Sequence, residues 1–143
     1  MADDEGAAPL VPRTASMESL VALAHLVYAL HAIAVVSGVL GSATIVGSFV
    51  ASVPSIVAVI LNYLKRAEAR GIWLESHFRW QIRTFWFALL WVGVAVLMVL
   101  SLVGVPLALL IVLVVGLWVF YRVARGWWSL SRRTMMPMPR ETL

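Results

Sequence analysis

Residues 84–121 read TFWFALLWVGVAVLMVLSLVGVPLALLIVLVVGLWVFY and contain no Asp, Glu, Lys, Arg or His. An α-helix rises 1.5 Å per residue and about 20 apolar residues cross ~30 Å of hydrocarbon, so this run is long enough for two crossings. Gly104 and Val105 near its middle leave room only for a hairpin. Pro106 suits the first turn of the helix that follows, where its missing N–H has no helical partner to lose. The run therefore divides into a span over about 84–103 and another over about 106–123.

Upstream, the same reasoning gives a span over about 17–40, an outer turn at Gly41 and Ser42, and a span over about 43–64. Ser16 is a suitable N-cap for the first, with Glu18 in the turn where the helix dipole favours an acid. Ala34 and Gly38 on the first span, with Ser42, face a row of Gly47, Ala51 and Ser55 on the second. Small residues on one helical face let two backbones approach closely, which predicts a tight hairpin, bent at Pro54. Residues 1–15, acidic and then rich in Ala, Pro and Thr, read as a cytoplasmic tail, and 131–143 as a second tail with no core to join.

Composition agrees with membrane burial. The 143 residues are 62% hydrophobic and 13% charged, with a mean hydropathy of +0.95, outside the soluble balance. The fold class expected is all-α: a polytopic integral membrane protein of four transmembrane helices, arranged as two hairpins joined by an amphipathic interfacial segment. The net charge of +4 does not point to nucleic acid, because every Lys and Arg lies outside the apolar runs in segments that share one side of a membrane. The two outer turns carry no charge, so the positive-inside bias places the 65–83 loop and both termini in the cytoplasm; a bacterial inner membrane is the expected location of the spans. The acidic leader and long first run argue for a retained span over a cleaved signal. With no cysteine, disulfides, thiolate catalysis and Cys-based metal sites are excluded.

The 65–83 loop is polar with interleaved aromatics. From about Ile72 it can be laid on a helix, with Leu74, Phe78, Ile82 and Phe85 on one face and Glu75, Arg79 and Arg83 on another. That pattern suits a helix in the headgroup layer that then turns into the third span. Trp73, Trp80, His77, Arg79, Arg83, Arg122 and Arg125 gather at this level as candidates for contact with lipid headgroups, anionic ones in particular.

Inside the spans the chemistry-bearing residues are few. His25, Tyr28 and His31 share a segment of the first span, and an ionisable group within a membrane is a functional candidate by default. Haem ligation or proton relay would use the imidazoles. A bis-histidine haem needs facing rings, and the other spans contain no histidine, so within one chain that reading fails and no cofactor is expected. The commoner role of such histidines is hydrogen-bonded packing. His77 titrates near neutrality in free form and doubles as a headgroup-level polar residue. No G-x-x-x-x-G-K-[ST], H-E-x-x-H or G-x-S-x-G motif is present, so an ATPase, metalloprotease or lipase has nothing to rest on.

The string Glu75-Ser-His-Phe-Arg-Trp-Gln-Ile-Arg-Thr-Phe-Trp86, an uncharged hairpin and then Tyr121-Arg122-Val-Ala-Arg125-Gly126-Trp127 resemble a family of small bacterial inner-membrane proteins of unknown function. That family is described as similar to the chloroplast inner-envelope translocon component Tic of twenty kilodaltons. The resemblance covers roughly residues 20–130 and implies four transmembrane helices without an established activity. The functional expectation is a non-enzymatic interaction subunit or assembly factor, partnered by lipid and by another membrane protein or a second copy. The alternatives are a small oligomeric channel or transporter, and a haem-binding electron-transfer protein.

Overall fold

The computed structural model describes residues 13–41, 45–101 and 104–138, with the side chains of 13–15, 39–41 and 45–51 outside the description. Four helices account for nearly all of it: α1 (Arg13–Gly41), α2 (Ile45–Lys65), α3 (Leu74–Leu100) and α4 (Val105–Ser131). No strand occurs among the described residues. Ser16–Gly38 within α1, and the whole of α3 and α4, are long and apolar enough to cross a membrane, as in an integral membrane protein. α2 is a 21-residue apolar helix that holds Pro54 inside it and Lys65 in its last turn, and its described side chains run over Ser52–Lys65.

Two boundaries differ from the sequence reading. α1 begins at Arg13, ahead of the cap that Ser16 offers, and the Ser16 carbonyl accepts from Ser19 Oγ at 2.8 Å. The amphipathic stretch does not lie apart from the third helix. It forms the first turns of α3, which runs unbroken from Leu74 to Leu100. The link from α2 is a short turn in which Gly71 takes φ +76°, a left-handed conformation natural to glycine. The Gly71 N–H donates to Glu75 Oε2 at 2.9 Å and Arg79 donates to Oε1 at 2.8 Å, so one carboxylate ties the turn to the start of α3.

At the opposite end, Ser101 closes α3 with its N–H on the Met98 carbonyl, and Gly104 caps α4, accepting from the Ala108 N–H at 2.8 Å. A Cβ at Gly104 would stand 2.6 Å from the Met98 carbonyl oxygen, so the α3–α4 hairpin can turn here only on a glycine.

α1 touches all three other helices, most extensively α2, whereas α2 and α4 do not meet. The packed core lies at one end of the bundle. It joins Leu20, Ala24 and Tyr28 of α1 to Leu74 and Phe78 of α3 and to Val119, Val123 and Leu130 of α4. Beyond that end the α3 and α4 side chains, Leu90, Leu97, Leu109 and Leu113 among them, are mostly exposed, as surfaces in lipid would be.

Residues 132–138 pack against the start of α3, where a tail with no core to join was expected. Arg133 takes φ +53°. Its N–H meets the Leu130 carbonyl at 2.9 Å and the Thr134 N–H meets the Ser129 carbonyl at 3.0 Å, the double closure of a Schellman motif. The chain then folds back across the start of α3. The Met136 N–H donates to Ser76 Oγ at 3.0 Å, and the Met136 side chain is buried.

A left-handed L-residue costs about 1–2 kcal/mol. Arg133→Gly is therefore expected to match or exceed the parent in thermal unfolding in detergent, while Arg133→Val, β-branched at the same φ, falls below it by roughly that amount. Equal unfolding of the valine variant would show that the closure does not constrain the tail.

Candidate functional site: the polar core at one end of the bundle

Helical spacing builds the site. Ala24, Tyr28 and His31 on α1, and His77, Gln81 and Thr84 on α3, each follow i, i+4, i+7 and line one face. All six are buried. On α4, Val119, Val123, Gly126 and Leu130 form the matching buried stripe.

At the centre the Tyr28 hydroxyl meets His77 Nδ1 at 3.1 Å, and His77 Nε2 meets the Thr134 carbonyl at 2.8 Å. A carbonyl only accepts, so Nε2 carries the hydrogen. In a neutral imidazole Nδ1 is then the acceptor and Tyr28 the donor. Edge contacts from Tyr28 (6.1 Å, 87°) and Trp73 (5.6 Å, 90°) box in the imidazole. His77 is 0% exposed, which corrects its expected place at the headgroups. The flanking tryptophans made it look interfacial, but its own face of α3 turns inward. Gly126 completes the seat: a Cβ there would lie 2.6 Å from Tyr28 Cε1 and 2.7 Å from Cζ, so α4 can pass the Tyr28 ring only where it has no side chain.

A second set of bonds clamps α3 to α4. Arg122 Nε donates to Thr84 Oγ1 at 2.7 Å, Thr84 Oγ1 donates to the Trp80 carbonyl at 2.7 Å, and Trp80 Nε1 donates to the Arg122 carbonyl at 3.2 Å. The guanidinium stacks 3.4 Å above the Trp80 ring and 4.9 Å from that of Trp118. Arg122 is thus half-buried between helices. Among the described residues the ion pairs are Lys65–Glu68 and Arg79–Glu75, and neither reaches Arg122.

The remaining candidates are separated. Trp127 Nε1 donates to His25 Nδ1 at 2.9 Å, joining α4 to α1. His31 is buried with no well-formed hydrogen bond at either ring nitrogen, the Val27 carbonyl one turn back being the backbone group that interacts with it. Arg125 donates to the Tyr121 hydroxyl, whereas Arg79 is exposed on Glu75 and Arg83 is exposed. Of the packing row, Ala34 and Ser55 are half-buried, and Gly47 and Ala51 lie outside the described side chains. Among the described residues, none would lie within 4 Å of a Cβ at Gly38. Among the described residues of α1 and α2, Ala24 and Ala58 are fully buried.

The sequence reading passed over Gln81, Thr84, Thr134 and Asn62. Gln81 Nε2 reaches the Ala24 carbonyl at 3.3 Å, while Gln81 Oε1 and both amide atoms of Asn62 are buried without a partner. The readable signal was the polar stripe His77, Gln81, Thr84 at helical spacing, and a single amide, Asn62, within an apolar helix.

The seam at Tyr28, His31, Gln81 and Arg122 is too closely packed to admit water. A roomier groove of about 460 Å³ opens between α3 and α4, lined by Phe87, Trp91, Leu110, Ile111, Val114, Val115 and Trp118. No cluster of three or more His, Cys, Asp or Glu occurs among the described residues. Both nitrogens of His77, and Nδ1 of His25, are engaged in hydrogen bonds.

No protein-family model, curated protein or solved structure matches the chain. The geometry alone therefore carries the functional argument. Gly126→Ala should lower thermal stability by about 1–3 kcal/mol, as overpacking does. In a Tyr28→Ala background the same change should cost far less, because the ring it strikes is gone. Additive losses in the two backgrounds, read by unfolding in detergent, would mean that α4 and Tyr28 are not in contact.

Proposed function

We propose that the protein is a multi-pass component of a bacterial inner membrane, with α2 as a fourth crossing and both termini cytoplasmic. It acts there by binding, as a non-enzymatic subunit or assembly factor of a larger membrane complex. The observation that carries this reading is the commitment of the bundle's polar side chains to one another. Tyr28, His77, Thr84, Arg122 and Trp127 make bonds that join helices, and the groove between α3 and α4 is lined by apolar side chains. What the protein presents within a membrane is surface. The resemblance to the translocon-like family is compatible with such a role, though shared architecture does not transfer function.

The orientation has its own support. The start of α1, the α2–α3 turn, the start of α3 and the end of α4 lie at the same end as the core, and Lys65 and the arginines from Arg66 to Arg133 sit with them. Positive charge is retained on the cytoplasmic side.

A second reading has one observation in its favour. His31 and Asn62 are buried with polar atoms unpartnered, as residues of a small oligomeric channel or transporter would be before subunits or solvent meet them.

A reporter fused after residue 143 should be active in the cytoplasm, and periplasmic activity there would overturn the orientation. Photo-crosslinking side chains placed at Ile60 and Leu97, both exposed, should capture a discrete protein in living cells. If both sites yield only lipid adducts and the chain purifies alone as a monomer, the subunit reading is lost. Conductance in proteoliposomes that disappears in Asn62→Leu would favour the channel instead.

A further inference from the structure

The clamp and the groove lie on one continuous face. On α3, Trp80, Thr84, Phe87 and Trp91 follow helical spacing down that face, and on α4 so do Arg122, Trp118, Val115 and Ile111. Trp118 belongs to both features. Its ring carries the Arg122 guanidinium at 4.9 Å, packs edge-on to Phe87 at 6.3 Å and lines the groove. Immediately above an apolar channel about 460 Å³ in volume thus sits a half-exposed cation.

That cation is short of counter-charge. Arg122 lies close enough to Arg83 and Arg125 to feel their repulsion, and its hydrogen bonds go to a hydroxyl and a carbonyl. A guanidinium has five N–H donors in a planar fork suited to phosphate. The bonds to Thr84 and Trp80 leave part of that fork unused.

We propose that this face binds one anionic phospholipid, with its phosphodiester held at Arg122 and Arg83 and one acyl chain lying in the α3–α4 groove. Three features select that occupant. The site joins a positive head to an apolar trough in the order and direction of a lipid in one leaflet. Basic residues at the inner surface attract anionic over zwitterionic headgroups. A transmembrane helix of a partner or of a second copy would fill the trough but leave the guanidinium uncompensated, and burying an unpaired charge is strongly unfavourable. The inference rests on the membrane placement of the helices and not on the existence of a protein partner.

The test uses the full chain in phosphatidylcholine nanodiscs with and without phosphatidylglycerol, with retained lipid read by native mass spectrometry. The parent should retain phosphatidylglycerol in preference to phosphatidylcholine. Arg83→Gln, at an exposed position, should lower phosphatidylglycerol occupancy about fivefold, the effect of one basic group at an anionic surface. Val114→Trp, which fills the groove without adding polarity, should lower retention of both lipids, and Leu110→Trp repeats that test if Val114→Trp unfolds. Helix content and unfolding temperature of Arg83→Gln should equal the parent's. Equal retention of the two lipids by the parent overturns the proposal, as does parental occupancy in Arg83→Gln or in the folded groove-filling variant. A photo-crosslinker at Val114 that captures a second copy in place of lipid would also overturn it, assigning the groove to an oligomer interface.

Discussion

The line from Tyr28 through His77 to the Thr134 carbonyl links three parts of the chain that are far apart in sequence, and the packing around it depends on that line. Because Nε2 must donate to a carbonyl, the imidazole tautomer is set, and with it the direction of the Tyr28 hydroxyl. The ring so fixed needs Gly126 beside it, which sets where α4 crosses α1. The Thr134 carbonyl in turn is presented by the left-handed Arg133, so the helix closure at the end of α4 determines whether His77 is satisfied. Lipid tails are as apolar as leucine and give helices no hydrophobic reason to associate. Bonds of roughly 0.6–2 kcal/mol each, together with close packing, must then provide the cohesion.

This explains why α3 buries Ser76, His77, Gln81 and Thr84 beside Leu74 and Phe78, while its later turns expose apolar side chains. The sequence reading chose Leu74, Phe78, Ile82 and Phe85 as the apolar face. Leu74 and Phe78 are buried, but Ile82 and Phe85 are only half so, and the inward positions a turn on are Gln81 and Thr84. Apolar periodicity finds the core in water because water penalises apolar exposure. In a bilayer that penalty vanishes for the outer turns, and hydrogen-bonding side chains mark the packed side instead.

The helices themselves were legible, because a run without charge from Thr84 to Tyr121, broken at Gly104, admits few arrangements. The hairpin glycine was legible for the same reason. Long-range partners were not. Nothing near Gly126 in sequence indicates that a tyrosine ring from α1 presses on it, and nothing near Pro137 indicates that the preceding residues fold back onto Ser76. His77 misled because the tryptophans at 73 and 80 are the usual company of an interfacial residue. Here Trp73 packs its edge on the imidazole, and Trp80 spends its indole N–H on the α4 backbone.

Arg122 shows what a guanidinium contributes to packing. A lysine at this position would also carry a positive charge. It could not lie flat on Trp80 while donating sideways to Thr84, because an ammonium has neither the planar face nor the fixed fork. Through its bond to Thr84, Arg122 fixes how α4 sits along α3. His31 and Asn62 then bear the opposite consequence. Set within the same bundle with no bond of their own, each carries a desolvation cost of about 1–3 kcal/mol. The extensive α1–α2 contact and the bonds of the polar core together have to outweigh that cost, which makes the core end of the bundle the part least able to lose any one of its hydrogen bonds.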